Sequence, residues 1–262
     1  MDKLYIIKIG GNIIDDETQL DIFLQSFARV KGHKLLVHGG GRLATRMAGQ
    51  LHIPQQVVDG RRITDAETLK IVTMVYAGYI NKNIVARLQA LQCNALGLCG
   101  ADGNAVLAHK RVKGELDYGF AGDIDAVQAA WISQLIAQNL ALVMAPITHD
   151  GKGQLLNTNA DTLAQELARS LCNIFEVHLV YSFEKKGVLE NAADETTWIP
   201  VIGPALYAQL KKEEKIFAGM IPKLDNAFAA LDSGVKRVII GKAEELDGLL
   251  EGRSGTSIVH EP

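Results

Sequence analysis

Two short apolar runs near the start of the chain, each followed by glycines and a helical pattern, restrict the possible folds most. Residues 4–9 lead into Gly10 and Gly11, and residues 34–38 lead into three glycines at 39–41. Beyond each turn, apolar side chains recur at helical spacing, as at Leu43, Met47 and Leu51. Repeated strand–helix units of this kind favour a mainly parallel sheet covered on both faces, because parallel strands need a crossover between them.

The remaining chain continues this alternation. A long helix is expected over 65–91, and the scattered glycines of 105–124 predict hairpins that would cover a site. Residues 257–259 are predicted as a last edge strand. Further strands are expected at 95–98, 140–146, 177–181 and 235–240, and further helices at 131–138, 158–171, 206–215 and 223–231. The fold class predicted from the pattern is α/β.

Composition narrows the functional classes. With 262 residues, 48% of them hydrophobic, the chain can build one large domain or two fused lobes. A net charge of -3 with mixed signs gives no broad basic face, so nucleic acid is not an expected partner. Three cysteines without a C-x-x-C spacing indicate neither a disulfide framework nor a zinc site, and predict a reducing cytoplasm. The sequence also predicts neither export nor a membrane span.

The two glycine turns are candidate phosphate sites. Backbone N–H groups at the end of a strand can face phosphate oxygens, and Lys8 would add a mobile cation. An ordinary turn with a surface lysine is the competing interpretation. His38 is interpreted as a packed residue at the strand end rather than as an acid–base group.

A dinucleotide site is a second possibility for the glycines at 39–41. Gly39, Gly41 and Ala44 satisfy G-x-G-x-x-A, and Asp59 follows 20 residues after the first glycine. Against it, that fingerprint normally follows the first strand of its unit, where Gly10 already marks a separate turn. P-loop and protein-kinase motifs are missing from the sequence, so any ATP would bind in another fold.

Three further segments carry candidate groups. Arg61-Arg62-Ile63-Thr64 offers a guanidinium suited to a carboxylate, although a solvated basic turn would look the same. Residues 157–161, Asn-Thr-Asn-Ala-Asp, precede a helix and are expected to include an N-cap. Residues 219–223, Gly-Met-Ile-Pro-Lys, open another helix, where the lysine would be ordinary surface without further context.

Taken in order, five of these segments resemble the N-acetylglutamate kinases of the amino-acid kinase superfamily. The likeness extends over nearly the whole chain and rests on residues 8–11, 38–41, 62–64, 157–161 and 219–223. The resemblance implies a three-layer αβα sandwich around the parallel sheet. It also implies ATP-dependent phosphorylation of the side-chain carboxylate of N-acetyl-L-glutamate, an early step of arginine biosynthesis.

The resemblance assigns catalytic roles residue by residue. Lys8 and Lys223 would stabilise the transferring phosphoryl group, and Asp161 between them would orient both ammonium groups. Gly10 and Gly11 would present backbone donors to the nucleotide phosphates. Mg²⁺ would be held by phosphate oxygens and water, so no protein metal ligand is expected.

The same likeness assigns the acceptor side. Gly40 and Gly41 would donate to the acceptor, and Arg62 with Asn157 would hold the α-carboxylate and its surroundings. Residues 1–175 would form a lobe for acylglutamate binding and dimerisation, and residues 176–262 a lobe for ATP. Residues 182–186 depart from the family pattern, so adenine and ribose contacts are not assigned. A homodimer is the expected assembly, and small molecules are the expected partners.

Several alternatives stay open from the sequence. Related kinases act on glutamate, aspartate, carbamate or UMP, and a catalytically inactive sensor could keep the fold. The acyl group is also undecided, with acetyl ranked narrowly ahead of succinyl. A succinyl tail would need a cation for its extra carboxylate, for which Lys110, Arg111 and Lys113 are the candidates, a solvated basic strand being the competing interpretation.

Overall fold

The computed structural model describes residues 1–58, 60–191, 193–213, 215–216 and 220–260. Asp59 of the dinucleotide pattern and Gly219 of the fifth segment therefore lie outside the described residues. In the first half of the chain the strands and helices are β1 (Lys3–Ile9), α1 (Gly11–Asp15), α2 (Glu17–Arg29), β2 (His33–His38), α3 (Gly41–Gln50), β3 (Gln56–Val58), β4 (Arg61–Ile63), α4 (Ala66–Thr73), α5 (Asn81–Ala90), β5 (Ala95–Leu98), β6 (Val106–Lys113) and β7 (Leu116–Val127).

The second half adds α6 (Ala129–Ala137), β8 (Ala141–Met144), β9 (Ile147–His149), β10 (Leu155–Thr158), α7 (Ala160–Leu171), β11 (Glu176–Phe183), β12 (Val201–Ile202), α8 (Pro204–Lys212), α9 (Ile221–Asp232), β13 (Arg237–Lys242), α10 (Leu246–Glu251) and β14 (Thr256–Ile258). Met74–Ile80 forms a π-helical segment that joins α4 to α5 into one continuous helical stretch, as the sequence predicted for 65–91. Gly78 lies inside that segment without ending it.

A central sheet of eight described strands has the order β12-β14-β13-β11-β1-β2-β8-β5. Its neighbours pair in parallel except β13 and β14, which are antiparallel. A second group, β10-β7-β6-β9, closes on itself, and β3 pairs with β4 as a hairpin. The sheet continues without a break through both predicted lobes, since β1 pairs directly with β11.

The alternation of side chains along the strands divides the core into two layers. On β1, Leu4 and Ile6 join the cluster packed under α6, α7, α8 and α9, whereas Ile7 and Ile9 join the cluster under α2 to α5. Alternate residues of a strand point to opposite faces of a sheet, so an apolar run buries both. The three-layer α/β sandwich is confirmed.

Capping side chains fix where several helices begin and end. Asp16 accepts from the Gln19 N–H at the start of α2, and the Lys34 ammonium donates to the carbonyls of Phe27, Ala28 and Val30 at its end. These contacts satisfy backbone groups that a helix leaves unpaired at its ends. No described helix is long and apolar enough to cross a membrane.

One packing feature was not predicted, and one expectation about an edge was wrong. On α3 the buried side chains are Ala44 and Ala48, while Met47 and, just after the helix, Leu51 are exposed. The small alanines allow α3 to pack closely, which turns the larger apolar side chains outward. The strand at 256–258, expected at an edge, is not one, because the two-residue β12 pairs beyond it.

Candidate active site

The two glycine turns lie side by side at one edge of the central sheet. Ile9 pairs with His38 at the end of β1 and β2, and the Gly39 N–H donates to the Ile9 carbonyl at 3.1 Å. The carboxyl ends of parallel strands form the common ligand-binding edge of open α/β sheets. The parallel register therefore unites the two predicted phosphate turns.

The first of two adjoining cavities, here the lysine-lined cavity, has a volume of about 530 Å³. Lys8, Gly10, Gly11, Asp161 and Lys223 all line it, although they come from β1, the turn after it, α7 and α9. The Lys8 ammonium lies 2.7 Å from the Asp161 carboxylate. The structure thus gathers at one place the five groups to which the family resemblance assigns phosphate and catalytic roles.

The surroundings of Lys223 change the pKa of its ammonium group. Burial lowers the pKa of the Lys223 ammonium; the Asp161 carboxylate opposes this, and the positive charge of Lys8 adds to it. Asp161 thus influences both ammonium groups, as expected for a carboxylate placed between them.

Asn159 positions Asp161. Its side-chain oxygen accepts from the backbone N–H groups of Asp161 and Thr162, at 2.9 and 3.0 Å, at the start of α7. The expected N-cap within 157–161 is therefore Asn159. The cap fixes the first turn of α7, from which Asp161 extends to Lys8.

The second cavity, here the arginine-lined cavity, has a volume of about 620 Å³ and is lined by the glycines at 39–41 and by four arginines. Arg62 donates to the Gly41 carbonyl at 2.8 Å and to the Thr45 hydroxyl at 2.9 Å, and it also contacts the Gln55 side chain. Thr45 and Gln55 were not predicted, because single polar residues without a motif give no signal. Their contacts hold the guanidinium in one orientation at the cavity wall.

Asn157 lines the same cavity from the opposite wall. Its amide donates to the Thr64 hydroxyl at 3.0 Å, so it is tied to the chain just beyond Arg62. Asn157 of β10 pairs in parallel with Ala121 of β7, which also lines the cavity. The hairpin predicted over 105–124 is present as β6 and β7, and it forms part of this wall.

Gly40 shows why the second turn needs glycine. Its φ of 148° is a backbone conformation that L side chains rarely adopt, and a Cβ there would lie 2.3 Å from Ile80 Cδ1. The turn therefore packs directly against the helical stretch behind it. At Gly10, in contrast, a Cβ would meet no atom within 4 Å.

His38 lies beneath this turn and is fully buried. Its Nδ1 is 2.8 Å from the Gly39 carbonyl, and its Nε2 is 3.3 Å from the Asn81 amide nitrogen. These contacts match a neutral ring that donates from Nδ1 and accepts at Nε2. Burial lowers the pKa of His38 to about 4. The interpretation as a packed strand-end histidine is confirmed.

Gly60, Arg61 and Asn159 line both cavities, which therefore adjoin. The Arg61 guanidinium donates to the Thr162 hydroxyl at 3.3 Å and lies 3.6 Å from the Asp123 carboxylate. The family resemblance gave the carboxylate role to Arg62 with Asn157 and no role to Arg61. The signal was the doubled arginine at the start of β4.

Ser182 and Glu184, in the segment that departs from the family pattern, both line the lysine-lined cavity. The Ser182 hydroxyl is buried and has no hydrogen-bond partner among the described residues. Ser182 is thus a polar group at the cavity that a ligand can satisfy.

Comparison with known proteins assigns the family. The profile of the amino acid kinase family matches residues 3–242. The chain belongs to this family. It is 55% identical over 262 residues to the acetylglutamate kinase of Cytophaga hutchinsonii, covering 99% of both chains. It is 54% identical over 257 residues to that of Phocaeicola vulgatus, covering 98% of both.

A solved structure of N-acetylglutamate synthase from Neisseria gonorrhoeae, complexed with coenzyme A and N-acetyl-glutamate, shares the fold. It superimposes with a TM-score of 0.83 at 22% identity. The chain aligns over its whole length with about 60% of the synthase. The predicted family and fold are confirmed by these comparisons, and the dinucleotide interpretation of the glycines at 39–41 is not needed.

Proposed function

We propose that this amino acid kinase transfers the γ-phosphoryl group of ATP to the side-chain carboxylate of N-acetyl-L-glutamate, in arginine biosynthesis. Its identity of 54–55% with acetylglutamate kinases, over nearly the full length of both chains, carries this conclusion. The enzyme is accordingly a phosphotransferase with a carboxyl group as acceptor, and its substrates are small molecules.

The two cavities divide the substrates between them. The ATP phosphates enter the lysine-lined cavity, where Gly10 and Gly11 donate from the backbone, and the acceptor enters the arginine-lined cavity beside Gly40 and Gly41. We propose an acceptor lobe within 1–175 and an ATP lobe within 176–262, with the phosphates between them, because residues of both ranges line the lysine-lined cavity. Adenine and ribose are left unassigned.

Arg62 and Asn157 bind the α-carboxylate region of the acceptor. A guanidinium offers parallel N–H donors that match both oxygens of a carboxylate, and Arg62 is already oriented by Gly41 and Thr45. The amide of Asn157 faces the same cavity. Together they place the side-chain carboxylate of the acceptor towards the lysine-lined cavity.

Catalysis needs no general base. A glutamate side chain, with a reference pKa of about 4.3, is already ionised at neutral pH and can attack directly. The barrier lies in bringing two anions together, and Lys8 and Lys223 lower it by neutralising charge on the transferring group. Asp161, 2.7 Å from Lys8, keeps the ammonium in place for this.

Magnesium would be bound through the nucleotide. Held by phosphate oxygens and water, Mg²⁺ would supply positive charge at the phosphates. Asp161 is engaged by Lys8, and the described residues contain no cluster of three or more His, Cys, Asp or Glu placed to hold a metal ion. We therefore assign no protein ligand to the metal.

The assembly we propose is a homodimer in the cytoplasm. Large apolar side chains are exposed on α3, just after it and on the π-helical segment, namely Met47, Leu51, Met74 and Tyr79. Exposed apolar groups of this size are typical of a covered interface. The cysteines at 93, 99 and 172 are free thiols, which suits a reducing compartment.

One assay tests the function. ADP release is measured with N-acetyl-L-glutamate, and the acyl phosphate is trapped with hydroxylamine. Acceptor-dependent ADP release with matching hydroxamate is expected. ADP release that depends on aspartate, carbamate or UMP instead would assign the enzyme a different acceptor within the family. No ADP release with any acceptor would indicate a sensor.

A further inference from the structure

A third cavity, here the helix-layer cavity, lies between α1, α2, α3, the π-helical segment and α5. Its volume is about 510 Å³, which is enough for a small organic molecule. Most of its walls are apolar, and Leu20, Ile80 and Ile84 are among the buried side chains that form them. Among the described residues, Arg46 alone also lines one of the two cavities of the active site. The proposed reaction gives this cavity no role.

Asp15 lines the helix-layer cavity and has no hydrogen-bond partner. Both oxygens of its carboxylate are buried, and neither accepts a hydrogen bond from any described residue. Burial raises the pKa of the Asp15 carboxyl, and the positive charges of Arg46 and Arg42 oppose this only in part. A buried carboxylate without donors is costly, and a donor brought by a ligand would remove that cost.

The other charged groups of this cavity are paired or exposed to water. Arg87 donates to the Asp21 carboxylate at 2.8 Å and lies 4.0 Å from Glu17, which is itself 82% exposed. Arg46 is exposed, so water screens its charge. The cavity thus combines apolar walls with one unsatisfied carboxylate. That combination fits a ligand with an apolar body and one ammonium group.

The helix-layer cavity contacts both glycine turns of the active site. Asp15 ends the five-residue helix α1 that begins at Gly11, and a Cβ on Gly11 would lie 3.9 Å from an Asp15 oxygen. Ile80 lines the cavity and also packs directly against Gly40. Arg46 reaches from this cavity into the arginine-lined cavity. A ligand bound here would therefore touch residues that support the phosphate and acceptor turns.

We propose that the helix-layer cavity is a regulatory site for a small amine with an apolar body, that the ammonium group pairs with Asp15, and that occupation strengthens acceptor binding. The effect on the acceptor rests on the proposed function. Arg42 and Arg46 both line the arginine-lined cavity, and the charge of Asp15 offsets theirs. When a ligand neutralises Asp15, this offset is lost, so an anionic acceptor is held more strongly.

A second copy of the chain is the competing occupant. Met47, Met74 and Tyr79 line the cavity, and they are exposed apolar residues of the proposed dimer surface. A partner side chain would fill the cavity only in the dimer, and an amine would then compete with dimerisation. The two occupants therefore differ in whether the amine changes the oligomeric state.

The first experiment measures the binding of phenylbutylamine by isothermal titration calorimetry. Phenylbutanol and phenylbutyrate carry the same apolar body with a neutral and an anionic end, and serve as matched ligands. We expect the amine to saturate with a Kd of about 1 mM or below, and the other two to bind at least about tenfold more weakly. No saturation by the amine at about 10 mM would reject the site, and an alcohol that binds equally well would reject the pairing with Asp15.

The second experiment removes the carboxylate. In Asp15→Asn we expect the Kd of phenylbutylamine to rise about tenfold. The matched control is Asp16→Asn, which removes a negative charge at the next residue, outside the cavity, and keeps the cap of α2 because Asn caps as well as Asp. An unchanged amine affinity in Asp15→Asn would overturn the proposal.

A third experiment tests the location by filling the cavity. Met47→Trp places a larger side chain in the cavity wall, and the amine should no longer saturate. Leu51→Trp, one turn further along and outside the cavity, is the control and should bind the amine as the wild type does. Because both positions are exposed, these variants decide the location even if Asp15→Asn does not fold. Normal binding in Met47→Trp would place the amine elsewhere and reject the proposal.

Linkage tests the regulatory role. The Kd of N-acetyl-L-glutamate, measured without ATP, should fall about fivefold at saturating phenylbutylamine, and the Kd of the amine should fall by the same factor at saturating acceptor. Asp15→Asn should bind the acceptor about fivefold more tightly without any amine, and adding the amine should change nothing further. An acceptor Kd that the amine leaves unchanged or raises in the wild type would reject the regulatory role.

Failure of this inference can be told from failure of the proposed function. If N-acetyl-L-glutamate neither binds nor is turned over, the proposed function fails, while calorimetry with the amine still decides the site. Light scattering during the amine titration completes the test. Conversion of dimer to monomer by the amine would assign the cavity to the second copy and reject the proposal, whereas an unchanged oligomeric state supports it.

Discussion

The two cavities of the site differ in the cations that line them. The lysine-lined cavity combines Lys8 and Lys223 with Asp161 and Glu184, so its charges are mixed. The arginine-lined cavity has guanidiniums and no described acidic side chain. A lysine ammonium is a mobile point charge, whereas an arginine guanidinium is planar and can donate to both oxygens of a carboxylate. The contrast fits the proposed function, in which charge moves during transfer in the lysine-lined cavity and a carboxylate is held in the arginine-lined cavity.

The largest effect is expected at the lysines. Lys8→Ala or Lys223→Ala should lower kcat by roughly 10²–10³-fold, or ~2–4 kcal/mol, because each ammonium strengthens its contact as charge shifts in the transition state. Steady-state kinetics at saturating substrates, with thermal unfolding as the control for folding, measures this. Near-normal turnover in both variants would show that the lysines are not catalytic, and the contrast between the two cavities would no longer hold.

The acceptor side should be sensitive to acid through His38. Its folded pKa of about 4 lies below the reference value of 6.5, so the unfolded chain binds more protons between these values. Stability is therefore full above about pH 6.5 and is lost as the pH falls towards 4, by up to about 3 kcal/mol. Urea unfolding at pH 7.5, 6 and 5 should show a smaller loss in His38→Gln. Parallel pH profiles for the two proteins would contradict the buried neutral ring.

The two glycine turns should respond differently to a methyl group. Gly40→Ala should cost about 2 kcal/mol of unfolding free energy, because its φ of 148° and the contact with Ile80 both oppose a Cβ. In Gly10→Ala the new Cβ would meet no atom within 4 Å, so the free energy of unfolding should not change. The affinity for ATP should fall. Gly49→Ala on α3, also in open space, is the matched control. Equal stability of all three variants would show that the second turn is not packed as described.

A smaller effect should follow from Arg62→Lys. An ammonium keeps the charge but loses the two-point contact with a carboxylate, so KM for the acceptor should rise about tenfold, or ~1.4 kcal/mol, with kcat less affected. KM for ATP serves as the internal control and should not change. A selective loss of kcat would instead place Arg62 with the lysines, and the distinction between the cavities would need revision.

Much of the fold was accessible from local patterns. The apolar runs at 4–9 and 34–38 became β1 and β2, and the helical stretch over 65–91 is present with its glycine inside. The short strands β3, β9, β10 and β12 were missed, since two to four residues carry too little periodicity. Which face of α3 is buried was not predicted, because small alanines, not the larger apolar residues, pack inward.

By itself the sequence determined the chemical groups and their local settings. Lys8 lies near the end of a strand that glycines follow, and Asn159 precedes a helix, and both settings depend only on neighbouring residues. Motif order further indicated the family. The local settings depend on adjacent residues, and the family assignment depends on several motifs in order along the chain. Both can therefore be derived from a single sequence.

Tertiary structure alone decided which of these groups meet. Lys8 and Asp161 are far apart in the chain and 2.7 Å apart in space, because β1 and α7 pack within one sandwich. Likewise Arg111, not Arg61, takes both oxygens of Asp123, which leaves Arg61 facing two cavities. Strand register and helix packing set these pairings, and neither is encoded in the residues adjacent to the groups themselves.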